Sequence, residues 1–265
     1  MTDDLTRTQS VSDVMDPARA HALHTALGLP GSPPDILPPF FHHLYFWDVQ
    51  PSDALGRDGH PKVGGVIPDM GLPRRMWAGG RLEFLSPLQV GQPAQKHSRV
   101  EKASHKVGRT GPLGFVTLRH EVTQDGEVKL REYQDLVYRE DPNPTAPKHL
   151  PPEAGKDEDS CEAHGFTSTL LFRYSALTFN GHRIHYDLDY CRDFEGYAGL
   201  VVHGPLLAQL LMLKAARELG PLKTFGFRAT APLVHRETAE LCRKGTDLWV
   251  RGPDGRQCME ATAEV

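Results

Sequence analysis

The stretch Thr178-Phe-Asn-Gly-His-Arg-Ile-His-Tyr-Asp-Leu-Asp-Tyr190 concentrates titratable and hydrogen-bonding side chains in one short run of the chain. His182 and His185 can carry protons near neutral pH, and Asn180 or Asp187 can orient an imidazole or a water molecule. That is the equipment of general acid–base catalysis. The same histidines with Asp187 and Asp189 would also suit zinc or iron, but their spacing matches no metal-binding signature and no metal is expected. A structural loop of hydrogen-bonded histidines is a third reading. A second segment, Gly199-Leu-Val-Val-His-Gly-Pro-Leu206, leads into a helix whose first-turn N–H groups have no partner within the helix. With Gly204 permitting close backbone approach, that helix end could polarise a carbonyl oxygen and stabilise the enolate formed as water adds to, or leaves, the neighbouring carbons.

Elsewhere, Arg74, Arg75 and Arg81 form a short basic cluster among glycines. Guanidinium groups pair bidentately with carboxylates and phosphates, which makes these arginines candidates for holding an anionic ligand; solvated surface arginines are the alternative. Trp77, between them, can act as a hydrophobic plug. Arg183 and His203, inside the two segments above, are further candidate substrate contacts.

These groups need a scaffold. A helix is expected from Pro205 to Leu219, ended by Gly220-Pro221. Its leucines, Met212 and alanines make it apolar on nearly every face, so a sheet must enclose it. Strands are expected after it at Leu222 to Ala231, Thr238 to Leu241, Thr246 to Arg251 and Gln257 to Val265, and before it at Phe166 to Tyr174. In the amino half, Gly114 to Val122 and Glu127 to Tyr138 alternate apolar and polar residues across an Asp125-Gly126 turn, a hairpin pattern. Arg81 to Leu88 and Lys96 to Ala103 carry fainter strand patterns. Helical patterns precede them at Pro17 to Leu29 and in the aromatic stretch Leu37 to Trp47. From Asp141 to Asp159, prolines at 142, 144, 147, 151 and 152 forbid regular structure and mark a linker. Helix followed by antiparallel strands thus occurs twice, which predicts one buried helix in a curled antiparallel sheet, duplicated.

With 265 residues, 39% of them apolar, the chain can bury one large core or two fused ones. A net charge of -4 gives no footprint for nucleic acid or an anionic membrane. Met1 to Ser10 lacks the apolar run of a secretory signal, and no later stretch approaches membrane-spanning length, so a cytoplasmic protein with a small-molecule partner is expected. Cys161, Cys191, Cys242 and Cys258 lack the spacing of a zinc knuckle or a disulfide framework.

Tyr174-Ser-Ala-Leu-Thr-Phe-Asn-Gly-His-Arg-Ile-His185, followed by Gly-Leu-Val-Val-His-Gly-Pro-Leu, resembles the MaoC-like hydratases. Their Gly-Asp-x-Asn-Pro-x-His signature puts its histidine on His185, its aspartate on Asn180, its asparagine on His182 and its proline on Arg183. The aspartate is missing, and an amide can orient water but cannot take its proton. Asp187 could replace it only if the chain bends back. Leu37-Pro-Pro-Phe-Phe-His-His-Leu-Tyr-Phe-Trp47, Gly59-His-Pro-Lys62 and Leu72-Pro-Arg-Arg-Met-Trp-Ala-Gly-Gly-Arg81 are similar to the type 2 hydroxyacyl-thioester dehydratase branch.

The resemblance implies an α+β double hot-dog fold, with an N-terminal repeat over residues 1–140 for the acyl-CoA pocket, a linker over 141–165 and a catalytic repeat over 166–265. It implies a hydro-lyase of acyl-CoA thioesters needing no cofactor, monomeric or homodimeric, with His185, Asn180 and Gly204 at its centre. Within the branch, the expected substrate is itaconyl-CoA or mesaconyl-C4-CoA, hydrated to citramalyl-CoA. Dehydration of a (3R)-hydroxyacyl thioester is one alternative, and a non-catalytic acyl-thioester binding module is another.

Overall fold

The computed structural model describes residues 6–32, 35–63, 65–108, 111–141 and 150–265. The linker prolines at 142, 144 and 147 lie outside the described residues. Strand β1 (Thr8–Val14) and helix α1 (Pro17–Ala26) open the chain, followed by an aromatic segment and a loop that lead into β2 (Arg74–Phe84). Three long strands follow, β3 (Pro93–Gly108), β4 (Gly111–Gln124) and β5 (Glu127–Arg139). The second half comprises β6 (Ser160–Gly165), α2 (Ser168–Leu177), α3 (Leu188–Asp193), α4 (Gly204–Leu219), β7 (Thr224–Ala229), β8 (Thr238–Lys244), β9 (Asp247–Arg251) and β10 (Gln257–Glu264).

The two sets of strands form one continuous antiparallel sheet in the order β1-β3-β4-β5-β2-β7-β10-β9-β8-β6. The halves meet where β2 pairs with β7 from Gly79↔Arg228 to Glu83↔Thr224. Glycine is required at this seam because a Cβ on Gly79 would lie 2.6 Å from the Phe227 carbonyl oxygen, and one on Gly80 2.6 Å from that of Tyr133. Helix α4 packs on β7, β8, β9, β10 and β2, and Leu206, Ala208, Leu211, Met212 and Ala215 have no exposed surface. The apolar, enclosed character read from its sequence is therefore accounted for by sheet on several sides.

Several elements differ from expectation. Phe166 to Tyr174 is rich in β-formers, yet α2 is a helix: Thr167 caps it by accepting from Leu170 N, and Leu171, Tyr174 and Ser175 give it a buried stripe. The aromatic stretch forms only a 3₁₀ turn, Phe41–Leu44, because Phe40 and Phe46, with φ of 70° and 61°, break the backbone on either side. Its Phe40, Phe41, Leu44 and Phe46 are nonetheless buried, and His42 and His43 both bond Glu132 on β5. Strand β6 takes up Ser160–Gly165, residues read as part of the linker, and pairs with β8. No helix among the described residues is long and apolar enough to cross a membrane.

Candidate active site

The turn carrying Asn180 is built by the end of α2. Phe179 adopts φ 52°, and Asn180 N–H donates back to Ser175 O at 2.8 Å, a Schellman closure without the usual glycine. Stacking of Phe179 on Trp47, with ring centroids 5.0 Å apart, holds the strained residue in place. Asn180 Oδ1 then accepts from His182 N at 3.0 Å, so one lone pair of the Asn180 side-chain oxygen is committed to shaping the loop. Asp187 does not replace the missing carboxylate. It accepts from Arg183 Nη2 at 2.7 Å and from Tyr190 N at 3.0 Å, where it caps α3.

His185 ends the 3₁₀ turn Arg183–His185 and is buried. Its Nδ1 lies 2.8 Å from Val201 O. A carbonyl can only accept, so Nδ1 carries the proton and Nε2 is left as a bare lone pair. Burial pushes its pKa down to about 3, which keeps the ring neutral at physiological pH. The ring stacks on His203 at 3.6 Å between centroids. His203 is fully buried, is 2.8 Å from Ser175 Oγ through Nε2 and packs edge-on against Tyr174. It thus backs His185 and does not line the cavity, where a substrate contact was expected of it.

Helix α4 begins immediately after His203. Leu206 N and Leu207 N both donate to His203 O, at 3.1 and 3.2 Å, and Pro205 has no N–H. The Gly204 N–H, in the first turn, has no intrahelical acceptor and sits at the positive end of the helix dipole.

His185, Asn180 and Gly204 line one cavity of about 1210 Å³, together with Trp77, Arg74 and Arg75 from β2. Arg74 is occupied by a buried ion pair with Glu195. Arg75 lies close enough to His60 and His182 to oppose their protonation. Two expected ligand contacts are displaced. Arg81 is half exposed, pairs with Glu83 at 2.6 Å and lies over the Tyr133 ring, outside the cavity. Arg183 pairs with Asp187, donates to Arg57 O and covers the Tyr190 ring, also outside it.

Asp58 and His60, from the loop before β2, line the cavity but were given no site role from the sequence, although His60 lies in the Gly59-His-Pro-Lys62 motif. Asp58 Oδ1 accepts from His60 N and its Oδ2 is 3.0 Å from His60 Nδ1. The His60 ring lies 4.3 Å from that of His182, which in turn meets His185 edge-on at 5.4 Å. This loop is locked to the Gly181–His185 segment through backbone. Arg183 N donates to Asp58 O at 2.8 Å, and a Cβ on Gly59 would fall 2.1 Å from Gly181 O. An Asp-Gly-His run in a polar loop was the available sequence signal, but nothing local ties it to residues more than 120 positions away.

Metal ligation by His182, His185, Asp187 and Asp189 does not assemble, since Asp187 is turned to Arg183. The trio Asp58, His60 and His182 does bring ligand atoms within 4.8 Å of one another, as do His42, His43 and Glu132. In both groups the carboxylate oxygens already face imidazole nitrogens at hydrogen-bond distance, at 3.0 to 3.1 Å. That arrangement suits proton handling better than coordination.

The sequence pattern of the family described as hydroxyacyl-thioester dehydratase type 2 matches residues 40–235. The mesaconyl-C(4)-CoA hydratase of Chloroflexus aurantiacus is 42% identical over 98% of this chain and 95% of its own length. Among solved structures, HtdX of Mycobacterium tuberculosis superposes with a TM-score of 0.70 at 22% identity, covering 97% of this chain and 99% of that one. A second protein of that bacterium, described as a double hot-dog, superposes with a TM-score of 0.60 at 15% identity, covering 98% and 96%. The α+β double hot-dog expected from the sequence is thus the fold of this chain.

Proposed function

The chain belongs to the hydroxyacyl-thioester dehydratase type 2 family, and from that premise we propose that it hydrates a branched C5 dicarboxylyl-CoA, mesaconyl-C4-CoA or itaconyl-CoA, to citramalyl-CoA. It is a hydro-lyase acting on enoyl-CoA. In such a hydration the water oxygen bonds to the carbon β to the thioester as a base removes one of its protons. In mesaconyl-C4-CoA the alkene is conjugated with the thioester, so its electrons move onto the thioester oxygen and the resulting enolate is protonated at the α carbon; in itaconyl-CoA the alkene is the methylene on the β carbon, and the proton goes to that methylene instead.

The reading of the site rests on one observation: a bare imidazole nitrogen, His185 Nε2, and an unpaired helix-end amide, Gly204 N–H, share a cavity. The first is a proton acceptor and the second an oxyanion donor, and together they meet the two electronic demands of the reaction. Asn180, with its oxygen engaged, has its Nδ2 group left to donate to the water. Arg75 is the cationic partner for the free carboxylate of a dicarboxylyl substrate, and Trp77 packs the acyl chain. Residues 1–140 shape the acyl and CoA pocket, residues 166–265 carry the catalytic groups, and the stretch between them up to β6 links the two. Proton transfer and carbonyl polarisation come from side chains and backbone, so the scheme calls for no cofactor. The reading extends to a cytoplasmic monomer or homodimer.

Dehydration of a (3R)-hydroxyacyl thioester uses the same groups in reverse, and the family description favours it as the second reading. Presenting the purified protein with mesaconyl-C4-CoA, itaconyl-CoA, crotonyl-CoA and longer (3R)-hydroxyacyl-CoA separates the two. Preference for the dicarboxylyl thioesters by kcat/KM is expected; preference for long monocarboxylic chains would favour the alternative.

A further inference from the structure

A water molecule attacking an alkene through its lone pair presents two protons, and each needs an acceptor if the oxygen is to be aimed. His185 Nε2 supplies one. Asn180 is a poor source of the other, because one lone pair of its Oδ1 is already committed to His182 N–H and a neutral amide oxygen is a weaker acceptor than an imidazole nitrogen. The carboxylate that the family signature puts at this position is absent, and Asp187 is bound to Arg183 and to the end of α3.

We propose that His60, held by Asp58 on the loop from the N-terminal half, is the second water acceptor, so that an Asp–His pair from one half of the molecule restores what the other half has lost. This inference rests on the hydratase reading above. The Asp58 carboxylate receives both His60 N–H and His60 Nδ1, which fixes the proton on Nδ1 and leaves Nε2 bare. His60 and His185 therefore share one tautomer, flank His182 and line the same cavity. The glycine contact between Gly59 and Gly181 sets the distance between the two loops through backbone.

In the resulting step the proton taken by His185 passes to the α carbon as the C–O bond forms at the β carbon. The other proton stays on oxygen, pointed at His60 Nε2, and becomes the hydroxyl proton of the product. His60 is thus a catalytic residue that touches the reacting water, and Asp58 is a positioning residue that selects its tautomer.

Asp58→Asn keeps the shape but presents an amide N–H to His60 Nδ1, favouring the wrong tautomer. The expected result is a kcat lower by about 100-fold or more with KM within about threefold, since tautomer control of this kind acts on the chemical step. Adding Asn180→Asp to that variant returns an acceptor to the site and should recover at least about tenfold in kcat, which a merely structural Asp58 would not allow. A folded Asp58→Asn protein with kcat within threefold of the parent overturns the proposal. Imidazole ¹⁵N spectra of the unmodified protein read the tautomer without turnover. A His60 ring protonated on Nδ1 at pH 7 is expected, and one protonated on Nε2 overturns the proposal. If the parent protein hydrates none of the enoyl thioesters, the substrate reading fails while the spectra still decide the tautomer.

Discussion

At the scale of single residues, the chemistry is decided by which lone pairs are left over. In the proposed mechanism His185 acts as the base because Val201 O occupies its Nδ1 and burial keeps it uncharged, with His203 stacked behind it. Asp187 tests this accounting. Its carboxylate, two residues from His185 in sequence, is spent on Arg183 and on capping α3. Asp187→Ala should therefore cost about 1 kcal/mol of stability, the scale of a lost cap, and leave kcat within about threefold. Thermal melting and steady-state rates check both, and a collapse of kcat at unchanged stability would return Asp187 to the catalytic machinery. That His185 and Gly204 would line one cavity was legible because both lie in short segments whose residue types announce acid–base chemistry and a helix start. Asp58 and His60 were not legible, since their significance exists only once the loops meet.

At the scale of elements, the site depends on two loops pressed together and on a seam between strands. Gly59 has φ 86°, and a Cβ there would lie 2.1 Å from Gly181 O. Gly59→Ala must push the Asp58–His60 loop away from the catalytic segment, with an expected cost of about 1–3 kcal/mol and a lowered kcat. Gly226→Ala, in β7 where an added Cβ meets nothing within 4 Å, is the control and should change little. Melting midpoints near that of the parent for both variants would contradict the interlock. The sequence pattern located the β4–β5 hairpin and α4 well, because alternation and an all-round apolar face are strong signals. It misread α2, where β-branched and aromatic residues outweighed a cap and a three-residue stripe. It also gave no hint that the two halves would fuse at Gly79 and Gly80, where the constraint is space around a backbone.

At the scale of the whole molecule, the fused sheet encloses several histidines that must stay neutral. Burial lowers His185 to about 3 and His42 and His120 to about 4, against an ordinary value near 6.5. The unfolded chain therefore binds more protons than the folded one between pH 6.5 and 4. Their contribution to stability is complete above about pH 6.5 and is lost as the pH falls, by about 1.4 kcal/mol per pH unit for each ring that stays neutral. Glu132, held well below the usual carboxylate range by His43 and His42 against the opposing effect of burial, acts in the same direction. Melting temperatures should be level from pH 7 to 8 and drop steadily from pH 6.5 to 4.5; a flat profile down to pH 4.5 would mean that these rings are not buried neutral. The most direct measurement is to follow the enoyl-thioester absorbance of mesaconyl-C4-CoA, with the product mass, for the parent protein and for His185→Ala. The account predicts that the parent consumes the absorbance while adding one water, and that the variant binds the thioester but loses at least about 100-fold in rate. Hydration by His185→Ala at the parent's rate would contradict it.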